Sequence, residues 1–155
     1  MNIELVGIQI TVTGLAETIQ SFRSFTSQAD ELFQEAMLES ARENIVVVAK
    51  TLAPKKTGAL QGSIEVTPAD EPMSVLICAD KPYARFLEYG TRPHEIVVKN
   101  ARVLHFQVSG KNVFAKRVQN PGIPEGKFSF INPAIEMGKE QLLEDLAQII
   151  EEQLR

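Results

Sequence analysis

The residues able to do covalent or metal chemistry are few in this 155-residue chain: one cysteine, Cys78, and two histidines, His94 and His105. Nucleophilic catalysis needs a serine or cysteine beside a base, and neither histidine stands in a nucleophile motif. Cys78 lies in the apolar run SVLICA (Ser74–Ala79) with no basic neighbour, the setting of an inert core thiol. The histidines have no HxxxH spacing and no thiolate partner, which disfavours a metal site. TGALQGS contains two glycines but follows a turn, not a strand leading into a helix, so it is no phosphate loop. Carboxylates are plentiful but fall mostly on the outer faces of predicted helices. A hydrolytic site built from Glu88, Arg92 and His94 would need one deep pocket holding all three. The sequence therefore predicts no catalytic residue, no metal and no cofactor.

Charge distribution says more. The net charge of −4 argues against a protein whose main task is gripping nucleic acid backbone. Residues 1–52 carry 3 basic and 7 acidic groups, residues 53–132 carry 11 and 7, and residues 133–155 carry 2 and 6. Two acidic ends thus enclose a basic middle, a pattern suited to self-assembly or to docking on charged neighbours. The basic residues concentrate between Arg92 and Lys127, with Lys99, Arg102, Lys111, Lys116 and Arg117 between them, for a local charge of +5. That segment could meet an acidic partner or passing DNA. Equally, it could be a surface hairpin whose lysines guard against edge-to-edge aggregation. Few aromatics interleave with the charges, which disfavours base stacking.

The elements that would position these groups follow from periodicity. Ile8, Ile10 and Val12 alternate with polar residues, predicting a strand that ends at Gly14. From Leu15 a helical stripe follows through Ile19, Phe22, Leu32, Phe33, Ala36, Met37, Ile45, Val48, Ala49 and Leu52. A break is expected near Ser24–Ser27, and Pro54 closes the helix. Two strands, about Ser63–Thr67 and Ser74–Ala79, form an antiparallel hairpin across the Pro68–Pro72 turn. Asp80 and Pro82 open a short helix through Glu88, with Tyr83, Phe86 and Leu87 expected toward the sheet. Residues 94–119 form an extended hairpin with a connection of about four residues, Ser109–Asn112, pairing Val108 with Val113. Asn132 and Pro133 open a closing helix with a stripe of Ile135, Leu142, Leu143, Leu146, Ile149, Ile150 and Leu154. The expected fold is one α+β domain over residues 1–155, with the long N-terminal helix and the C-terminal helix packed on an antiparallel sheet. No apolar run reaches the ~18 residues of a membrane span, and the N-terminus does not read as a signal peptide.

Three separated blocks carry a family resemblance. APKKTGALQGSI (Ala53–Ile64), YARFLEYGT (Tyr83–Thr91) and NPGIPEGKFSFINPAIE (Asn120–Glu136) together resemble the tail-component family of long-tailed bacteriophages, also called the neck or tail-completion family. The third block has Asn120 where many relatives carry histidine, and Lys127–Phe128–Ser129–Phe130 in place of the usual proline-phenylalanine-leucine. The resemblance implies a non-enzymatic phage or prophage structural protein, made in the bacterial cytoplasm and carried in the virion at the head–tail junction. Its implied partners are further copies of itself in a ring and other connector, neck or tail-tube proteins, with transient contact to passing DNA. The alternative function is a nucleic-acid-binding module using the basic 92–127 hairpin. Arg85, Glu88, Tyr89, Thr91 and Arg92 are the expected interface residues, with Arg85, Glu88 and Tyr89 projecting outward. Thr57, Gly58, Gly90, Pro121 and Gly122 are the expected structural turns, with Gly90 in left-handed geometry.

Overall fold

A computed structural model of the chain describes residues 6–11, 29–71, 73–99 and 101–153. Helix α1 (Ala29–Ala41) runs through a five-residue π-helical turn (Arg42–Val46) into α2 (Val47–Leu52). Phe33, Met37, Ala41, Ile45 and Ala49 recur strictly every fourth residue, and all are buried. An α-helix turns about 400° in four residues, so each such step would carry the stripe about 40° further round. The wider π-turn absorbs part of that excess and keeps the stripe on the core. Ala53 turns extended before Pro54, as expected of a residue preceding proline. The predicted residues Leu15, Ile19 and Phe22, and the break near Ser24–Ser27, lie outside the described residues. Leu32 and Leu52 were expected in the stripe but are 37% and 41% exposed.

After the short α3 (Ala59–Gly62) come β2 (Ile64–Pro68) and β3 (Ser74–Ala79). With β1 (Val6–Thr11) they make an antiparallel sheet in the order β1-β3-β2. Central β3 is buried along nearly its whole length, with Val75, Ile77 and Ala79 in the main core. The last helix follows a short α4 (Ala84–Tyr89) and four strands, and is numbered α5 (Ile131–Gln153). It packs on α1 and the π-turn through Ile131, Ala134, Leu142 and Leu146. Gly138, absent from the predicted stripe, lets the helices meet closely. A Cβ there would lie 2.6 Å from the Asn44 carbonyl oxygen and 2.7 Å from Ile45 Cγ1. Leu143, expected to face inward, is 50% exposed. Ser40, Asn44 and Asp145 join the two helices by hydrogen bonds: Ser40 Oγ and Asn44 Nδ2 donate to Asp145 Oδ2 at 2.6 and 3.0 Å.

The mixed helix-and-sheet class, the antiparallel pairing and the C-terminal helix follow the sequence expectation. The hairpin differs in its details. Its base is β4 (His94–Val97) paired with β7 (Arg117–Asn120), and its tip is β5 (Leu104–Val108) paired with β6 (Lys111–Ala115). Val108 pairs with Lys111 and Phe106 with Val113, so the connection is two residues, Ser109–Gly110, with φ of 50° and 78°. Two positive φ values in a row match the right-handed twist of a tight hairpin. The shift from the expected register is two residues on one strand, so the faces survive: Leu104, Phe106, Val108, Val113 and Ala115 still share one. On the other, the Phe114 ring stacks on His105 with centroids 4.7 Å apart.

Candidate functional site

The expected interface segment spans α4 and the residues just after it; Leu87 faces inward and Arg85 and Tyr89 outward as expected, but Tyr83, Phe86 and Glu88 are placed opposite to expectation. Ala84 and Glu88 are buried and Leu87 packs on the core, whereas Tyr83, Phe86 and Tyr89 are 43%, 45% and 53% exposed. The helix has under two turns, and its inner side is held by the fully buried Ala84 together with Leu87 and Glu88.

Glu88 is the largest correction. It does not project outward: it is 2% exposed and points at the start of α5. Its carboxylate accepts the backbone N–H groups of Phe130, Ile131 and Asn132 at 2.9, 3.0 and 2.9 Å, and the Ser129 hydroxyl at 2.6 Å. The unpaired donors of a helix N-terminus are those of the preceding residue and the first three helical ones. Pro133, third in α5, has no N–H, so Glu88 accounts for the whole set. A negative charge there also complements the helix dipole. Burial pushes the Glu88 carboxyl up, but the hydrogen bonds from Phe130, Ser129, Ile131 and Asn132 outweigh it and hold the group below the ordinary glutamate range.

Beyond α4 the chain crosses itself. Thr91 N–H donates to the Ile123 carbonyl at 2.8 Å, and Ile123 N–H returns the bond to Thr91 at 3.1 Å. Ile123 N–H also lies 2.9 Å from Thr91 Oγ1. Flanking this bridge are Gly90 (φ 75°) and Gly122 (φ 76°). A Cβ on Gly122 would lie 2.3 Å from the Thr91 carbonyl oxygen, and one on Gly90 would lie 2.5 Å from that of Ile123. The Asn120 side chain accepts Gly122 N–H at 2.8 Å, shaping the Asn120–Pro121–Gly122 turn. Gly58 is also left-handed (φ 81°), beside Thr57, whose hydroxyl meets Ala59 N–H at 3.4 Å, but there a Cβ would touch nothing.

Between α4 and β4 lies an open concavity of about 440 Å³ lined by Arg85, Phe86, Tyr89, Gly90, Thr91, Arg92, Pro93 and His94. Four of the five expected interface residues line it, and Glu88 does not. The Arg85 guanidinium stacks over the Phe86 ring at 5.4 Å. His94 Nδ1 lies 3.0 Å from the Arg92 carbonyl oxygen. Phe86, Pro93 and His94 were not among the predicted interface residues. A hydrolytic Glu88–Arg92–His94 arrangement is not assembled, because Glu88 is committed to α5. Cys78 is 7% exposed, and burial and then the charges of Glu65 and Asp80 push its thiol up, away from the nucleophilic thiolate.

The basic residues Lys99, Arg102, Lys111, Lys116 and Arg117 are all exposed along the hairpin, and Arg117 lies 3.7 Å from Glu95. Among the described residues no three of His, Cys, Asp or Glu come together as a metal site, and no helix is long and apolar enough to cross a membrane.

The first sequence block, the second up to Gly90, the capping carboxylate and the first glycine of the crossing all lie in one stretch that is similar to known proteins. Residues 16–90 match the family model described as "Bacteriophage HK97-gp10, putative tail-component". That stretch is thus similar to a phage tail-associated structural component. The HK97-gp10-like stretch includes α1 to α4 and ends at Gly90, so the hairpin and α5 lie beyond it. Glu88 therefore ties the matched stretch to the helix that follows it. No curated protein and no solved structure matches the chain.

Proposed function

We propose that this chain is a non-enzymatic structural protein of the phage neck or tail-completion region, acting as one domain over residues 1–155. Copies assemble into a ring that joins head connector to tail in the virion, and the concave α4–β4 surface is one side of the contact. What carries this reading, beside the family match, is the character of that surface. Arg85, Phe86 and Tyr89 are exposed on α4, with Arg92 exposed just beyond it, and the opposite side of the helix is held by Ala84, Leu87 and Glu88. Tyrosine and arginine dominate the binding energy of protein interfaces, and a contact surface held rigid loses little entropy on binding.

Sedimentation velocity and negative-stain microscopy test the reading, with the protein alone and with purified head connector. Rings are expected in at least one of the two conditions, and the double variant Tyr89→Ala, Arg92→Glu should lose them while keeping its melting temperature. Monomers in both conditions overturn the ring. Undiminished rings from the folded variant overturn the placement of the contact.

A further inference from the structure

Resting on the ring reading, we propose that the basic hairpin of one copy docks on the outer face of α5 of the next copy. Among the described residues the hairpin strands pair with one another and scarcely touch the helices or the three-stranded sheet. A two-stranded ribbon with no covering layer is marginal in water. This one nevertheless carries apolar side chains: Val97, Val103, Val108 and Phe114 are 45%, 40%, 52% and 64% exposed. Such a ribbon gains from a second surface laid against it.

The outer face of α5 has the matching chemistry. Glu136, Glu140, Glu144 and Glu151 are exposed along it, with Lys139 bonded to Glu136. Met137 and Leu143 interrupt the acids and are 67% and 50% exposed. Residues 133–155 carry 2 basic and 6 acidic groups, against a charge of +5 between Arg92 and Lys127. Charge complementarity of this kind steers encounter and fixes register, while the exposed apolar residues on both faces supply contact area. The concavity continues directly into β4 through Arg92, Pro93 and His94, so concavity and hairpin form one continuous side of the contact. Because the two faces differ, the contact is head-to-tail, and such contacts close into rings when the rotation permits.

A charge swap tests this. Lys111→Glu with Lys116→Glu on the hairpin, or Glu140→Lys with Glu144→Lys on α5, should each weaken self-association by about tenfold or more, because like charges then face one another. Mixing the two variant proteins should restore assembly, since every contact between unlike copies is again complementary. Circular dichroism and melting temperature report that the exposed substitutions leave the fold intact. Wild-type assembly unchanged by either pair of reversals overturns the docking but leaves the ring standing. Weakening by each pair without rescue on mixing also overturns it. Loss of duplex DNA binding in the hairpin variant, with assembly unaltered, overturns it in favour of nucleic acid. Wild-type protein that never assembles overturns the ring reading itself.

Discussion

The junction of α4 with α5 and the hairpin that separates them in sequence are built on opposite plans. At the junction one buried carboxylate takes three backbone donors and a hydroxyl, and two glycines let the chain cross itself. Among the described residues the hairpin strands pair with one another, keep their basic residues in solvent and leave large apolar side chains uncovered. The difference separates two tasks. The junction fixes where the body's elements sit, and the proposed docking gives the hairpin's surface to another copy. Substitutions at the first should therefore change stability, and substitutions at the second should change association.

The largest effect is expected at Glu88. Glu88→Ala leaves three backbone donors and the Ser129 hydroxyl without their acceptor, at about 1–3 kcal/mol for each group left buried and unpaired. A fall in urea midpoint corresponding to at least about 3 kcal/mol is expected, and a loss under about 1 kcal/mol would contradict the role given to this cap. The pH dependence sharpens the point. A carboxyl whose folded pKa is depressed stabilises the protein above its unfolded value and loses that contribution as pH falls through the folded value. Wild type should thus lose stability on acidification below the ordinary glutamate range. Glu88→Gln should start less stable at neutral pH and show a flatter acid limb.

Next come the glycines. Gly122→Ala drives a Cβ to 2.3 Å from a carbonyl oxygen, whereas at Gly58 the same change meets open space. Gly58→Ala should cost only the strain of a left-handed residue, about 1 kcal/mol. Gly122→Ala should cost clearly more, since backbone must move, and thermal melts of the pair measure the gap. Equal losses would mean that the crossing is looser than its distances imply. The smallest stability effect belongs to the hairpin. Phe114→Ala should change stability by no more than about 0.5 kcal/mol yet weaken self-association in sedimentation velocity. A large fall in melting temperature would show that the hairpin belongs to the body's own stability.

Local signals were legible in the sequence, and pairings across long separations were not. Strand β3 was read at its observed bounds because an apolar run between turns leaves little freedom. The left-handed geometry of Gly90 was read from its place just after a short helix, whereas the positive φ of Gly110 and Gly126 was not anticipated. On α4, Leu87, Arg85 and Tyr89 were placed correctly, whereas Tyr83 and Phe86 were assigned inward as aromatics and Ala84 gave no sign of filling the core. Glu88 was read as an exposed acid because its donors lie more than 40 residues away. No local pattern distinguishes a carboxylate that caps a distant helix from one that faces water. The π-turn did leave a trace, in the strict four-residue spacing from Phe33 to Ala49, which exceeds the period of an α-helix. The hairpin register failed for a smaller reason: Ser109–Gly110 closes in two residues where four were allowed.

The hydrogen-bonded bridge between Thr91 and Ile123 makes the hairpin leave and re-enter the body at a single point. Whatever is spliced between those two residues meets the same doorway, so its length and surface are open to exchange while the helices and sheet behind it remain as they are. Exchange of this one contiguous piece would change the protein's surface without touching its core.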